Sequence, residues 1–161
     1  MSREKMIELD VNGRRHRHAF PPHRTLLEAL RELGHVDVKC GCEKGDCGAC
    51  AVLVDGEAVD SCLTLACTVE GRAITTAAGL GSTGSPHPLQ EAFARLGAAQ
   101  CGYCTPGIII ASESLLRRNS NPDDEEIRLA LSGNLCRCTG YTKIFEAVKE
   151  VARGRAAGGR T

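Results

Sequence analysis

The sequence predicts an α+β chain in which a β-rich first half is followed by an all-helical second half. Two observations predict it. The hydrophobic period changes from strand-like alternation to helical spacing across a stretch of small residues at 77–88, and ten cysteines divide into one set on either side of that stretch. A chain of 161 residues suffices for one ordinary domain or two small ones. The expected units are 1–79, 80–153 and a flexible tail at 154–161.

Met6-Ile7-Glu8-Leu9-Asp10-Val11 alternates apolar and polar residues, Asn12-Gly13 is a strong hairpin signal, and Arg14 to Phe20 returns as an unusually polar strand ended by Pro21-Pro22. Thr25 to Gly34 carries leucines at helical spacing behind a Thr cap and before a closing Gly. A Gly- and Cys-rich loop runs from Cys40 to Cys50. A second hairpin follows, Ala51 to Val54, turned by Asp55-Gly56, with Glu57 to Cys62 returning; Arg72 to Thr76 reads as a last short strand. From Ala77 to Pro88 the chain reads as a linker. Four helices are expected beyond it. They are Leu89 to Leu96; Thr105 to about Arg118, with a cap at Thr105 and Pro106 at the first turn; one opened by Asn121-Pro122-Asp123-Asp124-Glu125-Glu126 and ending near Gly133; and Thr142 to about Arg153.

Composition narrows the function. Lys plus Arg and Asp plus Glu both total 20, so net charge is zero and there is no electrostatic case for binding nucleic acid or an anionic membrane. The longest apolar run, Gly107 to Ala111, is far short of the roughly 20 residues of a membrane span. The opening MSREKMIELD lacks the apolar stretch of a secretory signal and the twin arginine of an export signal, so a cytoplasmic location is expected. Thiols stay reduced there, which makes metal the better explanation of ten cysteines than a disulfide framework. With no Trp and five aromatics in all, the organic core is modest and bound metal is expected to help hold the fold.

Cys42-x4-Cys47-x2-Cys50, followed by Cys62 on the returning strand of the hairpin, is the plant-type [2Fe–2S] spacing. Such a cluster carries a formal charge of about −2 oxidised and about −3 reduced, and burying it takes many donors. Gly41, Gly45 and Gly48 let the loop fold tightly and aim backbone N–H groups at sulfur. Zinc sites favour two short knuckles over three ligands in one nine-residue loop, and free buried thiols would not need the glycines. The second set, Cys101-x2-Cys104 and Cys136-x-Cys138, lies in two helix-joining connections that would meet at one end of a bundle, close to the positive end of the Thr105 helix. By spacing alone this set fits zinc as well as iron–sulfur. Cys40 reads as a neighbouring thiol and Cys67 as a small core residue.

Four segments together carry a resemblance: Lys39-Cys40-Gly41-Cys42-Glu43-Lys44-Gly45-Asp46-Cys47-Gly48-Ala49-Cys50, Ser61-Cys62-Leu63, Gln100-Cys101-Gly102-Tyr103-Cys104-Thr105-Pro106-Gly107 and Gly133-Asn134-Leu135-Cys136-Arg137-Cys138-Thr139-Gly140-Tyr141. From about Ile7 to Val151 the chain resembles the iron–sulfur subunit of the xanthine oxidase family of molybdenum hydroxylases. The resemblance implies an N-terminal plant-ferredoxin-like β-grasp domain and a C-terminal four-helix bundle, each with a [2Fe–2S] cluster. Cys101, Cys104, Cys136 and Cys138 would hold the cluster nearest molybdenum, with Gln100 and the Cys138 sulfur beside the pterin of the molybdenum cofactor. Cys42, Cys47, Cys50 and Cys62 would hold the outer cluster, nearer FAD. It further implies partners, a large molybdenum-cofactor subunit and a medium FAD subunit, in a heterotrimer or a dimer of heterotrimers, with this chain passing electrons between them and catalysing nothing alone. The sequence departs from the family pattern in two places: Glu43 stands where Gly is frequent, and Cys40 precedes the first ligand. Both bear on the outer cluster's potential and ligation.

The remaining motifs carry less. Gly79-Leu80-Gly81-Ser82-Thr83-Gly84 matches a dinucleotide pattern but is followed by Pro86 and Pro88, with no βαβ unit around it. His16, His18 and His23 read as a solvated sheet edge rather than a metal site. Two rival functions remain open at this point, an independent two-cluster ferredoxin and a structural zinc protein.

Overall fold

The computed structural model describes residues 4–158. Five strands form one sheet: β1 (Lys5–Val11), β2 (Arg14–Phe20), β3 (Ala51–Val54), β4 (Glu57–Asp60) and β5 (Ala73–Thr75), in the order β2-β1-β5-β3-β4. β1 runs parallel to β5 and every other pairing is antiparallel, so the sheet is mixed. Both hairpins close as expected. Asn12 and Asp55 lie at φ 55° and 51° and the glycines after them at 75° and 91°, the paired positive angles of a type I′ turn. β2 is an edge strand, which accounts for its polar sequence.

The alternation of β1 puts Ile7, Leu9 and Val11 on one face, where the helix α1 (Leu26–Glu32) buries Leu26, Leu27, Ala29 and Leu30 against them. Thr25 caps α1 through a full capping box with Glu28. β3 is buried on both faces. Val52 and Val54 join this first core, whereas Ala51 and Leu53 pack on Ile110 of the second half. β4 stops at Asp60, so Cys62 lies in the turn just past the strand and not on it as expected. There the Ser61 hydroxyl donates to the Cys50 carbonyl at 2.7 Å and the Leu63 N–H to the Asp60 carbonyl, pulling the chain out of the ladder.

The second half consists of α2 (Pro88–Arg95), α3 (Thr105–Arg118), α4 (Asp124–Leu131) and α5 (Thr142–Gly158), which share one core. α3 is central. Its run Ile108-Ile109-Ile110 is apolar all round because Ile108 and Ile109 face the helical core while Ile110 faces the sheet. Two caps differ from expectation. Cys104, not Thr105, precedes α3, and Asp123, not Asn121, caps α4 in a capping box with Glu126. Where a flexible tail is expected from Gly154, α5 continues to Gly158 and Arg155 reaches Glu113 of α3 at 2.5 Å; residues 159–161 lie outside the described residues. The connection at 77–88 is pinned rather than loose. Ala77 packs on Ile110, its carbonyl accepts from Gln90, and the Ala78 N–H donates to Asp37. Among the described residues no helix is long and apolar enough to cross a membrane.

Candidate metal centres

The loop from Cys40 to Cys50 leaves α1 and enters β3, and it folds around its own cysteines. The Asp46 N–H donates to the Cys42 sulfur at 3.3 Å, and the N–H groups of Lys44 and Cys47 point the same way. A Cβ on Gly41 would stand 2.7 Å from the Cys47 sulfur, so the chain can pass there only without a side chain. The Cys42 and Cys47 thiols are near enough to shift each other's protonation, as are those of Cys50 and Cys62, which ties the four into one loop-and-turn assembly.

The second set converges at the end of the helical core. Cys101 and Cys104 lie in the α2–α3 connection, Cys136 and Cys138 in the α4–α5 connection. The Cys138 and Cys101 sulfurs are 3.7 Å apart, and the Cys104 and Cys136 thiols are near enough to shift each other's protonation. As the residue preceding α3, Cys104 sits at the positive end of that helix. The Thr139 hydroxyl lies 3.1 Å from the Cys136 sulfur. Tyr141 holds the loop in shape: at φ 67° it turns the chain, and its hydroxyl accepts from the Cys136 N–H at 2.8 Å and donates to the Asn134 carbonyl at 3.0 Å.

The two assemblies meet along a seam. The Leu135 N–H donates to the Cys47 carbonyl at 3.0 Å and the Asn134 amide to the Gly48 carbonyl at 3.1 Å. Gly48 is in the left-handed region at φ 63°, and a Cβ there would lie 2.3 Å from the Asn134 amide nitrogen. A third contact runs from the Tyr103 hydroxyl to the Cys40 carbonyl.

These residues fit binuclear clusters. All ten cysteines are free thiols, and the eight expected ligands approach two by two, the arrangement in which each of two irons takes two thiolates. The thiols are also ready to lose protons unequally. Donation from the Lys44 N–H lowers Cys42 to about 7, while burial raises its partner Cys47. Burial and the Cys50 contact push Cys62 up to about 12. Burial and the Cys136 contact do the same to Cys104. Burial pushes Cys136 up too, but the Thr139 hydroxyl and backbone donors outweigh it and bring that thiol to about 7.

Of the two residues expected beside the pterin, Cys138 and Gln100 are both exposed, next to Cys101. Cys67 is half-buried against the first core, with its thiol directed to the Pro22 carbonyl. His18 pairs with Glu32 at 3.0 Å on the sheet edge, and His16 faces His35. The Gly79 to Gly84 stretch begins in a short 3₁₀ turn and closes through a bridge between Ser82 and Ser85.

Comparison with known proteins agrees with this geometry. Residues 9–78 match the family described as 2Fe-2S iron-sulfur cluster binding domain, and residues 76–149 match the [2Fe-2S] binding domain. The nicotinate dehydrogenase small FeS subunit of Eubacterium barkeri is 47% identical over 144 residues, 89% of this chain and 92% of that one. The chain belongs to the iron–sulfur subunits of the xanthine oxidase family. The nicotine 6-hydroxylase small subunit of Paenarthrobacter nicotinovorans is another relative, 52% identical over 88% of this chain and 86% of that one. The crystal structure of quinoline 2-oxidoreductase from Pseudomonas putida 86 superposes with a TM-score of 0.90 at 41% identity, covering 96% of this chain and 98% of that chain. For this iron–sulfur subunit, cysteine spacing alone misses Asn134, Tyr141 and Thr139. Their signal was their place inside the segment Gly133 to Tyr141, within three residues of Cys136 or Cys138.

Proposed function

We infer that this chain is the electron-transfer subunit of a molybdenum hydroxylase complex, relaying electrons singly between a large molybdenum-cofactor subunit and a medium FAD subunit. The observation that carries the reading is the hydrogen bond from the Leu135 N–H to the Cys47 carbonyl. Leu135 adjoins Cys136, so one short bond joins the backbone of the two cysteine assemblies. Tunnelling falls off exponentially with distance and less steeply through bonds than across gaps, so such a bridge is what a two-centre relay needs.

In this reading the fold is a plant-ferredoxin-like β-grasp domain at 1–79 joined to a four-helix bundle at 80–153. Cys42, Cys47, Cys50 and Cys62 hold an outer cluster; Cys101, Cys104, Cys136 and Cys138 hold an inner one. The clusters, when bound, supply one-electron chemistry, and the two in series split a two-electron oxidation into single steps. The chain's own part is to seat them, donate N–H groups to their sulfurs and keep the path between them short. Exposed Gln100 and Cys138 face the molybdenum subunit's pterin, and substrate choice rests with that subunit. The complex is a heterotrimer or a dimer of heterotrimers in the cytoplasm.

The test uses the complex purified through this chain at fixed subunit stoichiometry. Cys138→Ser should alter the inner cluster's electron paramagnetic resonance, leave the outer signal in place and slow the arrival of substrate-derived electrons at the outer cluster. An unaltered spectrum with unchanged turnover contradicts the assignment. Isolation of the chain alone, fully metallated and with no partner, favours a free ferredoxin instead.

A further inference from the structure

The two departures from the family pattern noted in the sequence turn out to touch. The Cys40 thiol donates to the Glu43 carboxylate at 3.1 Å. Glu43 stands at φ 56°, a conformation that residues other than Gly, Asn and Asp seldom adopt. The loop therefore carries a charged side chain where glycine would be the easier choice. Cys40 is itself held, since its carbonyl accepts from the Tyr103 hydroxyl and its thiol lies within electrostatic reach of Cys50. Glu43 is exposed, and the cation next to it, Lys44, pairs with Asp46 at 4.0 Å instead. Asp60, another carboxylate near the set, already accepts from the Cys50 thiol at 3.8 Å. Glu43 is thus the loop carboxylate that a neighbouring thiol holds in place.

We propose that Glu43, positioned by the Cys40 thiol, tunes the outer cluster by placing a fixed negative charge beside it and so disfavouring its reduced form. This rests on the two-cluster reading above. Reduction adds one electron to a centre already carrying about −2, so a nearby carboxylate opposes it, and charge and hydrogen bonding around the sulfurs are established levers on such potentials. The effect should be local. The inner set is built from different loops, and Glu43 has no contact with it. Cys40 acts only as a positioning residue, through its hydrogen bond.

The experiment is a potentiometric titration of the purified complex, read by the electron paramagnetic resonance of each cluster. Wild-type protein must first show two separable [2Fe–2S] signals; their absence defeats the functional reading itself. Glu43→Gln keeps an acceptor for the thiol and removes the charge. It should shift the outer couple toward reduction by about fivefold in the equilibrium, with the inner couple unmoved. Because Cys40 holds the carboxylate in place, the same substitution in a Cys40→Ala background should shift the outer couple by less than half as much. An outer couple that does not move while both signals persist overturns the proposal. Equal movement of both couples does the same, as does an undiminished shift without Cys40. Loss of the outer signal in Cys40→Ala alone would make Cys40 a ligand and also overturn it.

Discussion

Asn134 is only 6% exposed, yet it is polar and stands between two cysteine sets. Its amide hydrogen satisfies the Gly48 carbonyl, which the loop turns inward, and its own backbone carbonyl accepts from Tyr141. The Gly48 carbonyl also accepts from the Ala51 N–H at 3.2 Å, so losing the amide removes one of its two donors, a loss of about 0.5–1.5 kcal/mol. Asn134→Ala should therefore lower stability by about that much, and Asn134→Asp by more, because it sets a carboxylate against a carbonyl. Denaturant unfolding of the metallated protein measures both; an unchanged midpoint in Asn134→Ala would show that the seam does not depend on this bond. At this scale the sequence was readable where chemistry demanded a particular atom. The eight cysteines approach one another in pairs, Cys42 with Cys47, Cys50 with Cys62, Cys101 with Cys138 and Cys104 with Cys136, and Thr25 caps its helix. Asn134 was not read for its role because a buried amide facing a loop 86 positions away leaves no local pattern.

At the scale of elements, the sequence placed the five strands and five α-helices but not the short 3₁₀ turns at Ala66–Val69 and Ala77–Gly79, and the other differences lie at element ends. Hydrophobic spacing reports which residues face a core, whereas ends depend on single capping bonds. α2 shows this. Its cap is His87, whose Nδ1 accepts from the Leu89 N–H at 3.3 Å, while Gln90 bonds back to the His87 N–H. The other ring nitrogen, Nε2, lies 3.4 Å from Glu113, which is 4% exposed and also bonds Arg117 and Arg155. Burial, with Arg155 and Arg117, lowers the His87 pKa from 6.5, although Glu113 opposes the shift. The unfolded chain then binds the proton more readily, so the contribution is whole above about pH 6.5 and is lost as pH falls toward the folded value. Protonation at Nδ1 also removes the cap. Melting temperature should fall from pH 7.5 to 5.5, and His87→Asn, which keeps a capping side chain, should make that fall shallower without abolishing it, since burial lowers His16 too. An equally steep or steeper fall in the variant would contradict this role for His87.

Across the whole molecule, α3 joins the halves. Ile110 sits under β3, the Ser114 hydroxyl accepts from the Ala58 N–H at 3.1 Å, and a Cβ on Gly107 would lie 2.2 Å from the Gly48 carbonyl oxygen. This docking is what brings the Cys47 carbonyl to the Leu135 N–H. The sequence told of two halves and two cysteine sets, and the unbroken apolar run Ala51-Val52-Leu53-Val54 is what a strand covered on both faces shows, but the run does not say that α3 supplies the second cover. The docked halves place the two sets back to back, and the account stands on both being iron–sulfur centres. Metal analysis with electron paramagnetic resonance of the anaerobically reduced protein tests this most directly. The expected result is about four irons per chain and two distinct [2Fe–2S] signals; stoichiometric zinc without iron, or a single signal, would contradict it.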